Sequence, residues 1–189
     1  DERPVLVIEA KPGNAPSAIT VGAAKTFDTT TRTDDLVADY SSRGPTWYDG
    51  YAKPDVVAPG HRLVGPAATN QTLYTLFPAN RVTLGGRPYL KLSGTSMAAA
   101  VTSGSVALMI EGTKAVFGVK PTANAVKAML QHTAFPMRDA TNAPYHGLAQ
   151  GAGEVNTAGA VVLAQAINPT GAVGSNWLTT GVTESTTVD

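Results

Sequence analysis

No cysteine occurs among the 189 residues, so disulfides and thiolate metal sites are excluded and the redox compartment is left open. Neither sign of charge prevails: 14 Lys and Arg offset 14 Asp and Glu. That balance removes the electrostatic case for nucleic acid or an anionic membrane as partner. Charged residues are scarce altogether, 15% against 43% hydrophobic, which excludes a disordered chain and leaves a globular one, long enough for one domain with a real core. No apolar run is long enough to span a bilayer, because the most apolar stretch, residues 94–110, is interrupted by Thr102, Ser103, Gly104 and Ser105. Neither an initiator methionine nor a signal peptide stands at the start, and the chain beginning at Asp1 is expected to be a processed product or a piece of a longer one.

The stretch around which the rest is organised is Ser93-Gly94-Thr95-Ser96-Met97-Ala98-Ala99-Ala100. Residues 94–110 carry no charge and are apolar all round, the pattern of a helix in the middle of a domain. Gly94 marks a sharp turn from a strand over residues 89–92 into that helix. Ser96 then falls in the first helical turn, where backbone N–H groups lack partners and the dipole favours negative charge. A serine there is either a capping hydroxyl or a nucleophile with some help for an oxyanion.

Around it, residues 4–8 and 17–24 read as buried strands, separated by the Pro/Gly-rich turn Lys11-Pro12-Gly13-Asn14-Ala15-Pro16. A third strand ends in Asp39-Tyr40-Ser41-Ser42-Arg43-Gly44-Pro45. Lys53-Pro54-Asp55-Val56-Val57-Ala58-Pro59-Gly60 forms a fourth and leads to a short strand near Leu63. Gly85-Gly86 between two alternating runs predicts a hairpin inserted within residues 66–88. Thr122 caps an amphipathic helix with Val126, Met129 and Leu130 as its buried stripe. A further helix runs through Ala160, Val161 and Leu163. After Asn168-Pro169 the composition turns to Thr, Gly, Val and Ser, so residues 1–167 read as the domain and 168–189 as an extension or linker, with Trp177 and Leu178 as its anchors.

Four of these strings, in this order, resemble the subtilisin-like serine proteases (subtilases): Pro-Gly-Asn-Ala-Pro-Ser-Ala-Ile-Thr-Val-Gly-Ala, the Tyr-Ser-Ser-Arg-Gly-Pro string, Lys-Pro-Asp-Val-Val-Ala-Pro-Gly, and Gly-Thr-Ser-Met-Ala-Ala. Gly151-Ala152-Gly153-Glu154-Val155-Asn156 resembles the family's last loop. The resemblance covers residues 11–167. It implies an α/β fold, the C-terminal portion of a three-layer domain with a mostly parallel sheet flanked by helices, and the alternation of strands and helical runs supports that class independently. It implies a secreted serine endopeptidase acting on peptide or protein substrates. Ser96 is then the catalytic nucleophile and, through its N–H, an oxyanion donor. Pro12, Gly13, Asn14, Gly94 and Thr95 then shape the substrate site. It further implies that Asp55, with carbonyls of the Pro-Gly-Asn-Ala-Pro loop, holds a weak cation such as calcium; the alternative is a solvated loop carboxylate.

Three parts of the family pattern are missing. The aspartate motif (Asp-Thr/Ser-Gly), the histidine motif (His-Gly-Thr-His) and the oxyanion Ala-Gly-Asn do not occur, and the first two lie upstream of the matched segment in relatives. His61, His132 and His146 stand in none of these motifs and read as structural or exposed. The complementary Asp, His and Asn are therefore expected from a missing N-terminal part, in the same polypeptide or another chain. Two rival readings stay open: an inert subtilase half kept for peptide binding or assembly, and an unrelated hydrolase in which His61 or His146 serves Ser96. Ala100 also departs from the family, where a proline usually stands.

Overall fold

A computed structural model describes residues 13–179. The strand expected over residues 4–8, and Pro12, lie outside the described residues. The β-elements are β1 (Val21–Lys25), β2 (Leu36–Val37), β3 (Val56–Pro59), β4 (Leu63–Pro66), β5 (Arg81–Leu84) and β6 (Arg87–Leu92). The helices are α1 (Thr72–Leu76), α2 (Thr95–Phe117), α3 (Ala123–His132), α4 (Gly147–Gln150) and α5 (Thr157–Ala166), with a 3-10 turn at Pro78–Asn80.

One sheet has the order β2-β1-β3, with β1 and β3 parallel and β2 antiparallel to β1. A parallel bridge from Val57 to Glu154 continues it beyond β3. Side-chain alternation gives this sheet two apolar faces. Ala23, Val56 and Ala58 point into the main core with Ala98, Met109, Met129, Leu130 and Ala160. Ala24, Val37 and Val57 point the other way, against Met137 and Tyr145. α2 lies across β1 and β3, α5 lies on α2, and α3 lies on α5. The class is α/β, as the sequence implies. Among the described residues the helical layer covers one face, and loop residues cover the other.

The second sheet, β4-β6-β5, is antiparallel throughout. Its β5–β6 turn is the Gly85-Gly86 pair, with φ of +54° and +73°, the backbone sign that a two-residue hairpin of matching twist requires and that glycine supplies without strain. The insertion also contains α1 and the 3-10 turn, which no periodicity in the sequence announces.

Two expectations are corrected. The strand over residues 17–24 begins only at Val21: Ala18 N–H closes a turn on Ala15 O, and Thr20 N–H turns to the Asp55 carboxylate instead of a ladder partner. And α2 is not buried all round. Ala98, Thr102, Ser105, Met109, Gly112 and Thr113 form its buried stripe, while Ala99, Ala100, Ser103, Ala107 and Leu108 are exposed. The buried stripe is small because α5 approaches closely; a β-carbon on Gly112 would lie 3.2 Å from Gln165 Cγ. Its hydroxyls are all satisfied. Thr113 Oγ1 shares its one proton between Met109 O and Ala164 O, each at 3.0 Å, and Ser105 Oγ pairs with Thr157 Oγ1 at 2.6 Å. Helix ends follow the sequence: Thr122 Oγ1 accepts Ala125 N–H, Asn156 Oδ1 accepts Gly159 N–H, and Gly118 ends α2 in the left-handed region.

The tail folds back. Ile167 and Leu178 bridge antiparallel, Asn168 N–H donates to Trp177 O and Thr179 N–H to Ala166 O. Trp177 also walls a cavity of about 420 Å³ with Met129, His132 and Ile167.

Candidate functional site

Gly94, Thr95 and Ser96 stand together where β6 meets α2, with Gly94 as the N-cap residue and Ser96 exposed in the first turn. The turn is seated by backbone. Gly94 N–H donates to Gly60 O at 2.8 Å, and Gly60 N–H donates to Ala24 O at 3.1 Å, so the Gly94–Ser96 turn hangs on the ends of β3 and β1. A side chain at Gly60 has no room: a β-carbon there would lie 2.8 Å from Gly94 O, 2.9 Å from Ala23 Cβ and 3.1 Å from Ala98 Cβ. The glycine in Ala-Pro-Gly is thus a requirement of close approach. Tyr40, which the sequence marked only as part of a string, adds a side-chain tie: its hydroxyl donates to the same Gly60 carbonyl at 3.1 Å. Burial pushes the Tyr40 hydroxyl up from its ordinary value. Ser93 Oγ accepts the N–H of Arg62, whose φ of +58° turns the chain between β3 and β4.

Among the described residues no side chain hydrogen-bonds the Ser96 hydroxyl. His61 Nδ1 faces the Tyr40 hydroxyl at 3.4 Å. His146 Nδ1 caps α4 by accepting Leu148 N–H at 3.1 Å. Neither serves as a base to Ser96 in this arrangement, so the unrelated-hydrolase reading finds no geometric support. His132 closes the last turn of α3. Ala100 continues α2 without a break, and its helical acceptor is the Ser96 carbonyl, as expected where alanine replaces proline. Met97 is half-buried and helps line an apolar cavity of about 410 Å³ with Leu63, Leu73, Leu90, Leu92 and Val101, between the hairpin sheet and α2.

Gly13 and Asn14 are not gathered around Ser96. They open a loop that enters β1, on the side where Asp55 enters β3, whereas Ser96 is tied to Gly60 at the far end of β3. The two ends are about 16 Å apart at a strand rise of roughly 3.3 Å per residue. Thr20 Oγ1 donates to Gly13 O and holds this loop closed. Asp55 is buried, not a solvated carboxylate. Its Oδ1 meets Lys127 Nζ and its Oδ2 meets Lys53 Nζ, each at 2.8 Å. Oδ2 also accepts Thr20 N–H at 2.7 Å. This donor set does not fit a bound cation, because both oxygens already face ammonium groups. No three His, Cys, Asp or Glu side chains are grouped as metal ligands among the described residues.

Sequence reasoning missed one further cluster. Glu154, in the Gly-Ala-Gly-Glu-Val-Asn string, is buried beside Asp35, and Arg32 Nη1 reaches its Oε2 at 3.0 Å while stacking over Phe135. Burial first, then the Asp35 carboxyl, pushes Glu154 up to about 7, against the opposing pull of Arg32. Asp35 is raised as well, mainly by burial, and its Oδ1 has no partner. The glycines of that string are forced: a β-carbon on Gly151 would lie 2.3 Å from Asp55 O, and on Gly153 2.2 Å from Phe135 O, both at positive φ.

The family model described as "Subtilase family" matches residues 6–160. The serine protease AprX of Bacillus subtilis is 41% identical over 102 residues, covering 54% of this chain and 22% of that protein. The minor extracellular protease Vpr of the same organism is 31% identical over 156 residues, covering 81% and 17%. A solved structure, the PatG macrocyclase in complex with peptide, is similar with a TM-score of 0.56 and 27% identity, covering 82% of this chain and 38% of that one. The chain therefore spans well under half the length of these relatives. No helix among the described residues is long and apolar enough to cross a membrane.

Proposed function

Because the chain belongs to the subtilase family, we propose that it is the nucleophile-bearing part of a secreted subtilisin-like serine endopeptidase. The observation that carries this reading is Ser96 itself: exposed, in the first turn of α2, in the Gly-Thr-Ser-Met string, with no described side chain hydrogen-bonded to its hydroxyl. Ser96 Oγ attacks a peptide carbonyl, its proton passes to a histidine, and an acyl-enzyme forms while the amine leaves. The Ser96 N–H at the helix start faces the oxyanion. The histidine, the aspartate that orients it and the oxyanion asparagine come from the complementary segment, in the same polypeptide or another chain. Gly94 and Thr95 border the scissile bond, whereas the loop of Gly13 and Asn14, at the other end of β3, has no part in this reading. A mostly apolar outer face of α2 supports such a complement, since a helix with apolar residues on both sides belongs between layers.

The test is active-site labelling. A fluorophosphonate is expected to leave Ser96 almost unlabelled in this chain alone, and to label it after a polypeptide bearing the family's Asp and His motifs is added. Ser96→Ala abolishes that gain. Strong labelling of Ser96 in the chain alone overturns the need for a complement, and failure of every complement to raise labelling favours an inert module.

A further inference from the structure

The buried Lys53–Asp55–Lys127 cluster is built like an occupied cation site. Lys127 Nζ, on α3, contacts three oxygens: Asp55 Oδ1 at 2.8 Å, Pro16 O at 3.0 Å and Ala18 O at 3.1 Å. An ammonium group has three protons to donate, so this set exhausts it. Those distances are ammonium-to-oxygen distances, longer than the 2.3–2.6 Å that calcium takes from its six to eight oxygens. Lys53 Nζ takes the other side, with Asp55 Oδ2 at 2.8 Å and Ala18 O at 3.0 Å. The Asp55 and Lys53 side chains are almost wholly buried, and Lys127 is one-fifth exposed. Burial lowers the pKa of Lys53, with the Asp55 carboxylate opposing that shift.

We propose that Lys127 is a built-in cation: its ammonium group occupies the position between Asp55 and the Pro16 and Ala18 carbonyls that a metal ion would otherwise fill. α3 thereby fastens the loop over residues 13–20, and the protein needs no bound cation at this place. The arrangement ties three separate parts of the chain: the loop, the start of β3 through Asp55, and α3 through Lys127. Position 127 is 72 residues beyond Asp55 in a helix that resembles no string of the site, which is why nothing near Asp55 in the sequence announces it. The fastening itself is independent of catalysis and of the functional reading above.

The experiment is hydrogen exchange of the amides of Ala18 and Thr20 in the whole protein, which does not depend on Ser96. In the wild type, exchange there is expected to be the same in chelator, in sodium and in calcium. Lys127→Ala is expected to speed it by roughly tenfold or more, the scale of losing hydrogen bonds to a charged group. Propylammonium, the missing part of the side chain, is expected to slow it again, whereas tetramethylammonium at equal ionic strength, having no N–H, does not. Lys127→Met, which keeps an apolar stem, repeats the loss if the alanine variant does not fold. Protection of these amides by calcium or sodium in the wild type, unchanged exchange in both variants, or indifference of Lys127→Ala to propylammonium overturns the proposal.

Discussion

A single absent side chain sets the geometry of the turn that carries Ser96. A β-carbon at Gly60 would stand 2.8 Å from Gly94 O and 2.9 Å from Ala23 Cβ, closer than β-carbons tolerate, and a tight 3.1 Å from Ala98 Cβ. Two of the three neighbours are rigid, one being backbone and one the core-facing Ala23 of a paired strand. Gly60→Ala is therefore expected to destabilise by about 1–3 kcal/mol, the scale of overpacking a filled core. At roughly 2–4 °C per kcal/mol for a chain of this size, a thermal melt resolves that. The same substitution is expected to slow fluorophosphonate labelling in the complemented enzyme, because the Gly94 turn moves with it. An unchanged melt would falsify the close-approach argument. Met97 makes a second residue-scale case. Its thioether lies beside the turn and faces the apolar cavity under the hairpin sheet. Peroxide converts it to a polar sulfoxide. Complemented enzyme is expected to lose activity in step with oxidation at Met97, followed by peptide mass analysis, and Met97→Leu is expected to resist that loss.

At the level of elements, the Glu154 segment joins β3, the Phe135 loop and the Arg32–Asp35 loop. Glu154 has its folded pKa raised to about 7, above the ordinary glutamate value near 4.3. The folded state then holds more protons than the unfolded one between those two values. The stabilisation is whole below about pH 4.3 and is lost as pH rises through 7, up to about 3 kcal/mol. The Asp35 shift has the same sign. Melts of wild type and Glu154→Gln across pH 5 to 8 are expected to diverge, the wild type weakening with pH relative to the variant; parallel curves would reject the assignment. The sequence made some elements legible and hid others for physical reasons. Capped or glycine-bounded helices such as α3, and the Gly85-Gly86 hairpin, announce themselves because their signals are local. α1 is five residues long and amphipathic to nothing, so no period reveals it. The position of Ser96 at the start of a helix was readable from one string. Two neighbours of the buried carboxylates were not, because Lys127 lies 72 positions from Asp55 and Asp35 lies 119 from Glu154, and no local pattern joins groups so far apart.

At the scale of the molecule, the outer side of α2 is an exposed and largely apolar surface among the described residues. The run from Ile19 to Ala23 offers little free edge: Ala23 N–H goes to Ser41 Oγ and Ala23 O takes Ala38 N–H. Leu108 on α2 is half exposed, with Ala99, Ala100 and Ala107 on the same side. The chain alone is expected to self-associate through this face and to show no peptidase turnover. Leu108→Lys is expected to reduce association in sedimentation velocity, and, if the same face receives the complementary segment, to weaken rescue by it. Loss of association with full rescue separates the two surfaces. Following these melts by intrinsic fluorescence would mislead. The chain has two tryptophans, and both indoles meet water in the folded state, Trp47 at 66% and Trp177 at 47% exposure. Emission from the native chain should already sit near that of a solvated indole, so unfolding shifts its colour little. The exception is the Trp177 contribution, whose ring walls the α3–α5 cavity and reports docking of the tail instead of the state of the core.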